Sequence, residues 1–236
     1  MRIHADFTKS VIIGPQDYHW VKSPGGEVNR MMLDRIGEEK ARATSLVEFA
    51  AQSQFPQHSH PFGEEVLVLS GVFTEDVEHH YTTGWYMRNP HQSTHHISSA
   101  AGCRIFVKLM QMTEDELEPT RIDTHDPRNW EFRQGRYLCP LFESKFEKTF
   151  IEKLQPHQQF SETQEQGIEI FILSGELCAD SMIYTAGTWL RLAQKSHLAL
   201  SATALGSTVY VKSGHLQHAV DVWAKDTING NIIQID

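Results

Sequence analysis

Apolar residues along this chain come in short runs. Ser45–Phe49 (SLVEF), Glu64–Phe73 (EEVLVLSGVF), Thr83–Asn89 (TGWYMRN) and Cys103–Met112 (CRIFVKLMQM) are rich in Val, Ile, Leu, Phe and Tyr, and glycine or polar turn residues separate them. Runs of that length and composition read as β-strands. No segment carries a sustained 3.6-residue apolar stripe, and the nearest approach is a weak one in TEDELEPT at Thr113–Thr120. Many short strands per hundred residues predict sandwiches or barrels.

The pattern then repeats. EEVLVLSGVF at Glu64 returns as IEIFILSGEL at Ile168, SLVEF at Ser45 as TFIEK at Thr149, TTGWYMR at Thr82 as TAGTWLR at Thr185, and AGCRIFVK as LGSTVYVK. The counterparts stay 103 or 104 positions apart (175 − 71 = 104). A looser match sets Trp20 with Gly26 against Trp130 with Gly135. Self-similarity at a fixed offset marks a duplicated unit. The expectation is therefore an all-β chain of two similar domains, 1–116 and 117–236. The aperiodic, polar TEDELEPTRIDTHDPRN serves as connection, and the N-terminal segment is a candidate to cross to the other barrel.

Composition narrows the function classes. The 236 residues are enough for two small cores, and the net charge of −9 comes with 21 scattered Lys and Arg. Without a basic patch, nucleic acid is not an expected partner. Cys103, Cys139 and Cys178 form neither a disulfide framework nor a C-x-x-C pair, which suggests a reducing compartment. Cys103 reads as core. No stretch reaches the roughly 20 apolar residues of a membrane helix, and the N-terminus lacks the apolar run of a signal peptide. The location expected is cytoplasmic, with no membrane partner.

The candidate chemistry sits in HSHPFGEEVLVLSG, His58–Gly71. On a strand His58 and His60 share one face. Glu64 opens the next strand after a tight PFG turn, and GWYMRNPHQSTHH brings His95 and His96. Imidazoles and a carboxylate converging in a barrel suit a divalent transition metal. Leaving such groups buried and unpaired would cost several kcal/mol apiece. The second repeat is an internal control: Glu162, Gln164 and Ile168 stand opposite His58, His60 and Glu64, and Leu198 or a close neighbour stands opposite His95. The strand persists without the ligands, so the barrel does not need them. Glu162, Gln164, Glu165 and Glu169 read as a solvated turn, and His79, His80, His91, His125, His215 and His218 as loop histidines.

These residues fit the cupin pattern: H-x-H, three residues, Glu, six residues, Gly (His58, His60, Glu64, Gly71), then Gly84, Pro90 and His95. Gln92 departs from it, standing where cupins usually carry glycine. The surrounding text resembles, more narrowly, the ChrR-like cupins, in which the cupin accompanies the sensor half of an anti-sigma factor. The resemblance implies a bicupin of two tandem jelly-roll (double-stranded β-helix) barrels. It implies His58, His60, Glu64 and His95 as ligands of one metal per chain (Zn, Fe, Ni or Mn), with Glu65 and His96 pointing elsewhere unless a bulge shifts the parity.

Two functions follow from that resemblance. The first is a sensory or regulatory module in a stress response. A sigma factor would be its partner, although residues 1–50 carry no H-x-x-x-C-x-x-C pattern and no long amphipathic helix of the usual anti-sigma domain. The second is a metal-dependent dioxygenase acting on a small diketone or aromatic ketone. A closed tetrahedral zinc would instead be purely structural. A small-molecule ligand and a homodimer complete the expected partners, and no residue is assigned a catalytic role.

Overall fold

The computed structural model describes residues 1–23, 28–38 and 40–217. Gly26 and His218 lie outside them. The chain folds as a bicupin, with all ladders antiparallel. The first unit holds residues 1–5 and 19–129, and the second holds 6–18 and 130 onward.

In the first unit the sheet runs Arg2–Ile3, Val28–Gly37, Ala41–Phe49, Cys103–Leu109, Glu64–Glu75, Ser93–Ser99, Ser53–His60. Strand Glu64–Glu75 is central, pairing with Cys103–Leu109 on one side and Trp85–Asn89 on the other. Its opening residues are buried on both faces, which is why the sequence there is nearly continuous in apolar residues rather than alternating. Val66 and Val68 point into a core with Val47, Phe73, Met87, Ile97, Ile105 and Val107. Burial of a side chain of this kind contributes about 1.5–3 kcal/mol.

The second unit repeats the arrangement: Glu131–Arg133, Arg136–Glu143, Lys148–Leu154, Ser201–Ser213, Ile168–Ala179, Trp189–Leu192 and, last, Val11–Ile13. Trp189, Leu190 and Arg191 pair with Ile13, Ile12 and Val11. The N-terminal segment is thus an edge strand of the second barrel.

One device recurs in both repeats. Gly71 (φ +76°) and Gly175 (φ +71°) hold left-handed backbone. A Cβ there would fall 2.0 Å from the Gly102 carbonyl oxygen in the first case and 2.1 Å from that of Gly206 in the second. Only glycine fits. Gln92, in the turn where glycine was expected, adopts φ +62°, so the glycine conformation is kept without the glycine.

The unit boundary differs from the expected residue 116. Thr120–Asp123 forms a strand against Trp85–Asn89, pairing Thr120 with Arg88 and Asp123 with Trp85. The supposed connector therefore belongs to the first barrel as far as Asn129. TEDELEPT is not helical: it makes a turn at 114–115, and its Thr120 opens that strand.

Candidate metal centre

Ser53–His60 and Ser93–Ser99 are antiparallel neighbours in which His95 lies opposite His58 and Ser93 opposite His60. Cross-strand pairing and same-face spacing therefore place three imidazoles on one side of the ladder. Their rings stand 4.6–5.0 Å apart between centroids. The turn His60–Glu64, closed by the Gly63 amide donating to the His60 carbonyl (3.1 Å), returns the chain so that Glu64 faces them. Phe62 (φ +54°) and Gly63 (φ +73°) make that turn tight.

The donor atoms converge. His58, His60 and His95 each bring a ring nitrogen within 4.8 Å of the others. His60 Nε2 lies 2.8 Å from His95 Nε2, and Glu64 Oε2 lies 3.6 and 3.5 Å from those two nitrogens. Ligands held at about 2.0–2.2 Å from one ion stand roughly 3–3.5 Å apart, so the donor set fits a divalent transition metal. The three histidines can hold one. Glu64, His60 and His95 are buried, while His58 is half-buried at the mouth.

Neighbouring groups fix the imidazoles. His95 Nδ1 donates to Glu75 Oε1 (2.8 Å) and His58 Nδ1 to the Pro56 carbonyl (2.9 Å), which leaves each Nε2 with a lone pair. Asn89 Nδ2 donates to Glu64 Oε2 (3.0 Å) and Glu75 Oε1 (3.1 Å). Arg121 donates to Glu75 Oε2 (2.9 Å) and Asn89 Oδ1 (2.6 Å). Burial lowers the pKa of His58 and of His60, favouring the neutral form that coordinates metals. For His95 burial also lowers it, but the Glu75 hydrogen bond and the Glu64 charge outweigh that and raise it. Burial alone would raise the Glu75 carboxyl, yet the His95 bond and the Arg121 charge hold it at about 2.

The two ambiguous neighbours separate. Glu65 points away and pairs with Arg88 (2.9 Å), which also clamps Glu116 (2.6 Å). His96 sits where the ladder register shifts between His95 and Ile97, with its amide bonded to Asp76. Cys103 is buried. Trp85 packs against the inner core, and Tyr86 is fully buried on the opposite face of its strand. Glu75, Asn89 and Arg121 were missed in the sequence. The available signal was charge or amide at the ends of strongly apolar strands, where a buried polar group needs a partner.

The second unit fills the equivalent positions differently. Glu162 is not in a solvated turn: it accepts from Arg136 Nη1 (2.8 Å), whose Nε and Nη2 also grip the fully buried Glu152 (3.0 and 2.7 Å). A guanidinium there offsets the carboxylates. Gln164 clamps the Leu198 backbone, donating to its oxygen and accepting from its amide (2.8 and 3.0 Å), and Ile168 joins the core. Glu169 is likewise buried, accepting from Trp189 Nε1 (2.8 Å), and His215 lies against it at 3.2 Å rather than in a free loop. Among the described residues, His58, His60 and His95 form the one cluster with metal-ligating spacing.

A jelly-roll barrel carrying H-x-H, a following Glu and a later His on an adjacent strand is a cupin. More narrowly, residues 8–113 match the family described as the ChrR cupin-like domain. No curated protein matches the sequence. Solved structures share the fold. The bacterial pirin YhhW of Escherichia coli, determined with nickel(II), is 11% identical with a TM-score of 0.62, over 87% of this chain and 98% of its own. Protein YlbA of Escherichia coli is 15% identical with a TM-score of 0.66, over 89% and 93%. A candidate dioxygenase of Nostoc punctiforme is 12% identical with a TM-score of 0.67, over 89% and 84%. No helix among the described residues is long and apolar enough to cross a membrane.

Proposed function

We propose that the first barrel binds one divalent transition-metal ion per chain through His58, His60, His95 and Glu64, and that the chain is a metal-dependent sensory or regulatory module of the ChrR-like type. The observation that carries this is the convergence of three imidazole nitrogens within 4.8 Å beside a buried carboxylate. The second repeat, folded with Glu162, Gln164 and Ile168 in the corresponding places, supports a ligand set kept for binding rather than for folding. A stress-response role with a sigma-factor partner is what the resemblance of residues 8–113 to ChrR-like cupins implies. Metal analysis of protein purified without added metal is the first test. About one equivalent is expected. Two equivalents, or none, sink the reading.

A second reading, a small-molecule dioxygenase, is favoured by the half-buried position of His58 at the mouth, which leaves one side of the centre reachable from solvent. A redox-active metal held there supplies positions at which dioxygen and a chelating ketone can be activated. The chain's own contribution is to hold His95 and Glu64 in place from behind, through Glu75 and Asn89. Oxygen uptake with a panel of diketones and hydroxyacetophenones, on iron-loaded protein, decides between the two readings.

A further inference from the structure

Arg121 lies outside the stretch that matches the family, on a strand that returns from the segment joining the two repeats. Its side chain is 28% exposed, and each of its three guanidinium nitrogens is hydrogen-bonded. Nη2 donates to Glu75 Oε2 and to Asn89 Oδ1, Nη1 to the carbonyls of Arg88 (3.1 Å) and Thr120 (2.8 Å), and Nε to Tyr81 Oη (3.0 Å). The guanidinium also lies against the Tyr81 ring, 5.5 Å from its centroid. A cation so anchored is a fixed point.

We propose that Arg121 is a positioning residue for the three-histidine centre, acting through Glu75 on His95 and through Asn89 on Glu64. The inference rests on the metal-binding reading. Glu75 accepts from His95 Nδ1 on one oxygen and from Arg121 on the other, so its carboxylate plane is set by the guanidinium. That fixes the imidazole with its proton outward and its Nε2 lone pair toward His60 and Glu64. Asn89 is oriented in the same way. With its Oδ1 occupied by Arg121, its Nδ2 must face the two carboxylates, and it tethers the Glu64 oxygen nearest the imidazoles. Partners behind a metal ligand typically change affinity by about 10–100-fold when removed.

Without Arg121 the Glu75 carboxylate would keep His95 and Asn89 but lose the contact that sets its rotation. Lysine can restore the charge as a point donor, but it cannot span Glu75, Asn89 and the backbone carbonyls together. The expected order of effect is therefore graded. Arg121→Gln is the most disturbed variant and Arg121→Lys lies between it and wild type.

The test is cobalt(II) titration of metal-free protein followed by ligand-field absorption, on wild type, Arg121→Gln, Arg121→Lys and His95→Ala, with far-ultraviolet circular dichroism on each. Arg121→Gln is expected to bind cobalt(II) about 10–100-fold more weakly and with shifted bands, while keeping the wild-type β signal. Arg121→Lys should recover part of both. Wild-type affinity and spectrum in Arg121→Gln, with binding lost in His95→Ala, would overturn the role of Arg121 and leave the metal centre standing. No cobalt uptake by the wild type would overturn both. If Arg121→Gln does not fold, Arg121→Lys decides, because wild-type bands and affinity there would equally reject a role that needs the fork of donors.

Discussion

His58, His60 and His95 share their neighbourhood with Glu64, Glu75 and Asn89, so each substitution there has a distinct expected outcome. His58→Ala removes a donor at the mouth and leaves the inner pair, and metal content should drop toward zero by elemental analysis. Glu162→Ala, at the matching place in the second repeat, should leave metal content unchanged, since its partner is Arg136 rather than an ion. His96→Ala should also leave metal content near wild type, because its position at the register shift takes it off the ligand face. Burial pushes the Cys103 thiol up to about 11, and the thiolate is the nucleophile. At pH 8 iodoacetamide should therefore leave Cys103 unmodified in folded protein and alkylate it once guanidinium unfolds the chain, as peptide mass mapping would show. At this scale the sequence was informative where chemistry is encoded by spacing: the structure brings His58, His60 and His95 together with Glu64 beside them. It was silent on Glu75, Asn89 and Arg121. Their roles depend on which strands become neighbours, and no local pattern records that.

At the scale of strands and turns, the repeat was readable because the central apolar run of each copy carries a glycine, Gly71 or Gly175, whose left-handed backbone the barrel requires. Gly71→Ala and Gly175→Ala should each destabilise by about 2 kcal/mol or more in chemical denaturation. The left-handed conformation alone costs an alanine about 1–2 kcal/mol, and the carbonyls of Gly102 and Gly206 would have to move as well. Thr120–Asp123 was not recognised as a strand. All four of its residues are half-buried, so it shows no alternation, and its partner Trp85–Asn89 lies more than thirty residues upstream. The acids of the second repeat were misread for a related reason: Glu162 and Glu169 look solvated beside glycine and glutamine, until Arg136 and Trp189 arrive from other strands.

For the whole molecule, metal should stabilise the native state without being required for it. A ligand bound only by the folded chain adds RT ln(1 + [L]/Kd), about 3–4 kcal/mol at a hundred to a thousand times Kd. Chelation by EDTA should therefore lower the melting temperature by several degrees while the room-temperature β signal survives. The second barrel already shows that this architecture folds with Gln164, Leu198 and Ile168 in place of ligands. Collapse of the dichroism on chelation would instead identify a structural site, and both functional readings would lose their support.

The assignment of residues 6–18 to the second barrel has a practical consequence for anyone dividing the protein. A piece starting at Trp130 contains every described strand of that barrel except Val11–Ile13, and so bares the hydrogen-bonding edge of Trp189–Leu192. It also loses Phe7, which is buried and lies under the Arg191 guanidinium, 4.4 Å from it. An unpaired edge of that kind recruits other edges. A fragment cut at the repeat boundary should therefore self-associate on a sizing column, and a synthetic peptide of residues 6–18 should return it to monomer. The two copies of the repeat are similar in length but not interchangeable as parts, since the second is completed by residues 6–18, a segment that ribosomes deliver more than a hundred residues ahead of the rest of that barrel.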